Sequence, residues 1–156
     1  TAVLVAAAMK MGAIIAQSSK DNAKLIYDFG LNLGLAFQLQ DDYLDAFGDP
    51  ETFGKQVGGD IIENKKTYLY LKAMEFSTPE QAAELKKWFT EPAADIEAKI
   101  AAVKEIFNVS GGSQATQDAI QEFTFKAFDT LDKMNLDTAK KEVLRTFGEN
   151  LMGRIA

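Results

Sequence analysis

Asp41, Asp42 and Asp45 stand close together in the chain, with Gln38 just ahead of them. On a helix turning ~100° per residue these four side chains share one face, within an arc of about 100°. Carboxylates at this spacing repel one another, and no Lys or Arg lies between Lys24 and Lys55 to neutralise them. They also precede Gly48, at a helix end whose dipole is negative, and Asp is a poor residue for a helix interior. A hard divalent cation removes the conflict, because Mg²⁺ takes carboxylate oxygens and leaves room in its shell for water and phosphate oxygens. An acidic helix end open to solvent is the bland alternative. The one-sided geometry, Gln38 and the loop that follows favour the metal. Phe37, Tyr43, Leu44 and Phe47 fall on the opposite side and are expected to pack inward, while Gly34, one turn earlier on the polar face, is expected to leave room beside the helix axis.

The loop is Gly54-Lys55-Gln56-Val57-Gly58-Gly59-Asp60-Ile61-Ile62-Glu63-Asn64-Lys65-Lys66. Its glycines permit close backbone approach to a ligand and supply amide donors. Lys55, Lys65 and Lys66 bring positive charge to a protein that is acidic overall. Lys65 and Lys66 are expected at a helix start, where backbone amides already attract anions. Such a loop is weak evidence alone; its place directly after the acidic face gives it weight.

Helices are the elements expected to hold these residues in place. Three prolines occur, and each marks a stop or a start. Pro50 follows Gly48-Asp49, Pro92 follows Thr90, and Pro79 opens a segment in which Gln81 stands three residues after Thr78, the spacing of a capping box. Ser110-Gly111-Gly112-Ser113 is a break, and Asp137 precedes a helix-favouring run. Apolar residues recur at three and four: Phe29, Leu33 and Phe37; Ile96, Ile100 and Val103; Phe123, Ala127 and Leu131; Val143, Phe147 and Leu151. No segment alternates convincingly with period two. Helices are therefore expected over 2–17, 20–47, 65–76, 79–89, 92–109, 113–133 and 137–154, with an irregular stretch at 48–64. The fold class is all-α, and residues 1–156 read as a single helical domain.

Composition narrows the chemistry. With 47% apolar and 26% charged residues the chain is an ordinary globular one. It has no Cys and no His, so a metal here is oxygen-bound, Mg²⁺, Mn²⁺ or Ca²⁺ rather than zinc, and a reducing cytoplasm is the natural setting. The net charge of −6 and the lack of a basic stripe argue against nucleic acid. Ala2–Ala16 is apolar, but Lys10 cuts it into runs too short to span a bilayer, so it reads as a buried core helix. Met9, Met11, Trp88 and the phenylalanines after residue 107 read as core. The chain opens inside an apolar periodic pattern, from which Thr1 is not expected to be a natural start.

Phe37-Gln38-x-x-Asp41-Asp42-x-x-Asp45 resembles the second aspartate-rich motif of the trans-isoprenyl diphosphate synthases, or polyprenyl synthetases. Lys55 followed by Gly59-Asp60-Ile61 and Asn64-Lys65 resembles the lysine-bearing loop that follows it, and Thr1-Ala2 resembles the end of a Lys-Thr pair on the preceding helix. The specific likeness runs from Thr1 to about Lys72. It implies the isoprenoid-synthase helical bundle and Mg²⁺-dependent condensation of an allylic diphosphate with isopentenyl diphosphate into a longer trans-polyprenyl diphosphate. By residue it implies Asp41 as a direct metal ligand, with Asp42 and Asp45 ligating or holding metal-bound water, and Mn²⁺ as a substitute cation. Thr1 and Gln38 would contact the allylic diphosphate or the developing carbocation, and Lys55 and Lys65 the departing diphosphate. A homodimer is the assembly implied.

The chain departs from the family at two points. The other aspartate-rich motif, on an earlier helix, has no counterpart, since Asp129-x-x-Asp132 reads as a solvated face. The Lys before Thr1 is also missing. Both are expected if residues 1–156 are the C-terminal part of a longer synthase, inactive alone. Arg154 could help close over a second diphosphate, but a terminal Arg is more often solvated. The alternatives are a catalytically silent partner subunit, against which the intact acidic face argues, and a class I terpene cyclase, against which the Lys55–Lys65 loop argues.

Overall fold

The computed structural model describes residues 1–49 and 57–153, so the expectations for Lys55 and Arg154 fall outside the described residues. Every regular element described is a helix: α1 (Ala2–Ile15), α2 (Lys20–Phe47), α3 (Gly59–Ile62), α4 (Tyr68–Phe76), α5 (Pro79–Thr90), α6 (Ile96–Val109), α7 (Gly112–Asp132) and α8 (Thr138–Met152). Among the described residues no helix is long and apolar enough to cross a membrane.

Helix starts follow their caps. Thr78 accepts from the Gln81 amide and Gln81 answers at the Thr78 amide, the reciprocal box expected from sequence, with Pro79 in the first turn. Asp137 caps α8 at the Lys140 amide. Two starts come later than expected. The helix placed from 92 begins at Ile96, because Asp95, not the region of Pro92, supplies a side-chain cap to Ala98. The helix placed from 65 begins at Tyr68 behind Thr67. Lys65 and Lys66 therefore precede the helix instead of lying in its first turn. Inside the expected irregular stretch, α3 forms a single turn.

The chain divides into two compact units, residues 39–118 forming one and residues 1–38 with the described residues from 119 onward the other. The core of the 39–118 unit gathers Ala46, Ile61, Leu69, Leu85, Val103 and Phe107. Burying a side chain such as Phe107 contributes about 1.5–3 kcal/mol. The other core gathers Ile26, Phe29, Leu33, Ala127, Leu131 and Met134, with Phe128 tilted against Phe29 at 6.4 Å between centroids.

Several apolar stripes read from sequence lie elsewhere. α1 is not a buried core helix: Ala6 is its one buried residue, while Leu4 is 75% and Ile15 82% exposed, and Met11 is exposed too. The contact α1 makes is narrow. A methyl added at Gly34 would lie 2.7 Å from the Ala2 Cα, and one at Gly30 would lie 3.0 Å from the Ala6 Cα. The space expected beside Gly34 is thus filled by the backbone of α1. On α8, Val143 and Phe147 are exposed, whereas Leu144 and Leu151 face the core and buried Gly148 abuts Phe128. Phe125 is exposed as well, so the phenylalanines after 107 are not uniformly core. Met9 and Trp88 do pack on their cores. Asp129 and Asp132 are ion-paired with Lys133 and Arg145 on an exposed face.

Gly34→Ala should force α1 off α2 and lower stability by about 1–3 kcal/mol. Gly12→Ala, where an added methyl meets nothing within 4 Å, should raise it by up to about 1 kcal/mol. Urea midpoints of the two variants check the contrast; equal shifts would contradict the close approach.

Candidate functional site

The end of α2 is oriented by its apolar side. Leu44 and Ala46 are buried, and Tyr43 and Phe47 pack against the same core with their rings 5.1 Å apart. The Gln117 side-chain amide donates to the Tyr43 hydroxyl at 2.5 Å, which fixes that ring from α7. The opposite side carries Asp41, Asp42 and Asp45, each half-buried. The inward side expected from sequence is observed for Tyr43, Leu44 and Phe47.

The turn after the loop is docked onto Asp45. The Gly58 amide donates to the Asp45 carbonyl at 2.6 Å, and the Asp60 amide donates to Asp45 Oδ2 at 2.9 Å. Gly58 has φ +86°, a left-handed conformation in which a side chain would be strained, and an added methyl would also press on Ile100 at 3.0 Å. At Gly59 an added methyl would meet Asp45 Oδ1 at 3.1 Å. The close approach that these glycines permit is therefore to the acidic helix. The Gly58 amide, expected to face a ligand, goes to α2.

Lys65 closes the turn from the other end. Its ammonium donates to Asp60 Oδ1 at 2.7 Å and lies 3.0 Å from Glu63, and these bonds, Asp60 first, raise its pKa above the ordinary lysine value. Asp45 is also shifted upward: burial disfavours its charge, the Asp60 amide partly offsets this, and the carboxylates of Asp60 and Asp41 add to the rise. Asp42, Asp45, Asp60, Lys65 and Thr67 edge a cleft of about 10 Å³, room for one water, over Ile61, Leu69, Phe89 and Phe107.

Asp60 is the site residue that the sequence reading did not single out. As a fourth carboxylate following two glycines it was visible, but the amide that docks on Asp45 was not. In the other unit, the Thr1 hydroxyl donates to Gln38 Oε1 at 2.7 Å, so two residues distant in sequence do meet. The close approach at Gly30 and Gly34 brings Thr1 there.

The donor set suits a hard cation. Its oxygens are carboxylate oxygens, and burial first, with the neighbouring carboxylates of Asp60 and Asp41 behind it, disfavours the charge on Asp45. Yet among the described residues no three carboxylates stand close enough to hold a metal ion by themselves. A cation on this face must share its shell with oxygens from elsewhere, which is how Mg²⁺ is bound beside phosphates.

Asp45→Asn keeps an acceptor for the Asp60 amide while removing the disfavoured charge. In metal-free buffer it should raise the urea midpoint; a lowered midpoint would show that the charge itself holds the turn.

The sequence profile of the polyprenyl synthetase family matches residues 1–106. The chicken (Gallus gallus) farnesyl pyrophosphate synthase is 35% identical over 150 residues, covering 96% of this chain and 39% of that enzyme. A crystal structure of a geranylgeranyl pyrophosphate synthase superposes with a TM-score of 0.89 at 52% identity, over 100% of this chain and 49% of that one. A polyprenyl synthase from Caulobacter crescentus CB15, complexed with calcium and isoprenyl diphosphate, superposes at 0.85 with 35% identity, over 100% of this chain and 47% of that one. The chain thus spans less than half the length of each of these relatives. The profile runs from Thr1 through the acidic end of α2 and the docked turn, and the full set of helices superposes on known synthases; the chain belongs to the polyprenyl synthetase family.

Proposed function

We propose that this chain is the C-terminal part of a prenyl diphosphate synthase domain and supplies one wall of its diphosphate site. The enzyme condenses an allylic diphosphate with isopentenyl diphosphate. The allylic carbon–oxygen bond breaks and diphosphate leaves with the electron pair. The double bond of isopentenyl diphosphate then attacks the allylic carbon, and loss of a proton completes the longer chain. The observation that carries this reading is the acidic end of α2 with the Asp60 amide docked on Asp45 and the Lys65 ammonium held on Asp60, carboxylates beside an ammonium at one turn.

Asp41, Asp42 and Asp45 would hold Mg²⁺, or Mn²⁺, directly or through water. When bound, the cation draws charge from the leaving diphosphate. Lys65 would exchange part of its bond to Asp60 for a diphosphate oxygen, with Lys55 as a second cation in the same role. Thr1 and Gln38 would present polar oxygens to the allylic diphosphate or to the developing positive charge. The relative crystallised with calcium and isoprenyl diphosphate supports a divalent cation and this ligand class. The exposed apolar face of α1, with Val3, Leu4, Met11, Ile14 and Ile15, supports a remaining half that packs there. A cytoplasmic homodimer belongs to the same proposal.

Asp41→Ala in the complete protein should leave helix content intact and cut prenyl transfer by about two to three orders of magnitude, the size expected when stabilisation of developing charge is lost. A transfer assay with labelled isopentenyl diphosphate and circular dichroism check this, with residues 1–156 alone expected to be folded and inactive. Near-normal turnover in the variant would sink the metal assignment.

A further inference from the structure

Lys99, on α6, is 3% exposed, and among the described residues it is the one charged side chain that is buried. Buried Thr116 is settled locally, donating to the Gly112 carbonyl at 2.8 Å. Lys99 is not settled in that way. Removing an ammonium from water is costly unless it is paired, and burial lowers its pKa below the ordinary lysine value. Its compensations are a 2.5 Å hydrogen bond to the Asn64 side-chain oxygen and the face of Phe89, 5.7 Å from the ammonium. Neither is a counter-charge. An apolar side chain of the same length would satisfy this core at least as well, so core stability does not explain a lysine here.

What the ammonium does, and a methyl group could not, is hold Asn64. That residue has φ +56°, one of two positive values among described residues other than glycine, a conformation that Asn tolerates better than most. At this point the chain reverses: the Asn64 amide donates to the Ile61 carbonyl at 3.2 Å, and the Lys65 amide donates to the Asp60 carbonyl at 2.9 Å. The reversal brings the Lys65 ammonium over the Asp60 carboxylate, whose own amide is docked on Asp45.

We propose that Lys99 is a positioning residue for diphosphate capture: through Asn64 it locks the turn that holds Lys65 and Asp60 against Asp45. It touches neither substrate nor metal. Its consequence for binding rests on the prenyl-transfer reading, while its effect on the turn does not.

The test is a double-mutant cycle in the complete protein with Lys99→Met, Asn64→Gly and both changes together. Glycine keeps the positive φ and removes only the acceptor. Binding of inorganic diphosphate in the presence of Mg²⁺ is read by calorimetry, and the amide resonances of Asp60 and Lys65 by NMR. Lys99→Met should keep its helix content and weaken binding on the order of tenfold, the lower end for residues that orient a site's ligands from behind. Asn64→Gly should match it, and the double variant should be no weaker than the weaker single one. The Asp60 and Lys65 resonances should shift in each variant. If Lys99→Met proves too unstable to assay, Asn64→Gly, which leaves the core lysine in place, reads the same quantities. Additive effects in the cycle, or unmoved Asp60 and Lys65 resonances, would overturn the proposal. If the unmodified protein binds no diphosphate, the prenyl-transfer reading fails instead, and the resonances still decide the role of Lys99.

Discussion

The last turns of α2 bring negative charge to a helix end whose dipole is already negative, and the rest of the site is an answer to that crowding. Asp41, Asp42 and Asp45 are held half-buried because Leu44 and Ala46 are buried on the other side of the same turns. The helix cannot rotate the carboxylates into solvent without exposing that core. Asp45 is relieved in part by the Asp60 amide at 2.9 Å, and Asp60 in turn by Lys65 at 2.7 Å. Burial still disfavours the charge on Asp45 after these contacts are made. A cation that arrives with an anionic ligand is the proposed relief of that remaining cost.

Small residues allow the polypeptide to come close at two places. Gly58 and Gly59 let the turn lie against Asp45, and Gly30 and Gly34 let α1 lie against α2. In both cases what is brought near is a polar group at the edge of the packed surface, the Asp60 amide in one and the Thr1 hydroxyl in the other. The glycines act through the shape of the backbone.

The existence of the long helices was legible because their caps are chemical and local: Thr78 with Gln81, and Asp137. Starts were misplaced where proline or lysine was read in place of the capping side chain, Asp95 or Thr67. Apolar periodicity failed on α1 and α8, because it reports which residues share a face and not whether anything covers that face. The acidic face itself was legible, since like charges at helical spacing conflict wherever the helix sits. Asp60, Asn64 and Lys99 were not, because their roles come from a docked amide, a left-handed turn and a buried ammonium, and no spacing in the sequence encodes these. Lys99 shares its helix with Glu97, Lys104 and Glu105, none of them buried, so only its burial distinguishes it.

The proposed role of the α2 carboxylates is to hold a cation chiefly together with diphosphate. Calorimetric titration of the complete protein with Mg²⁺ alone, inorganic diphosphate alone and the two together tests it most directly. Weak binding of either alone and tight binding of the pair are expected. Diphosphate binding of the same strength with and without Mg²⁺ would contradict it.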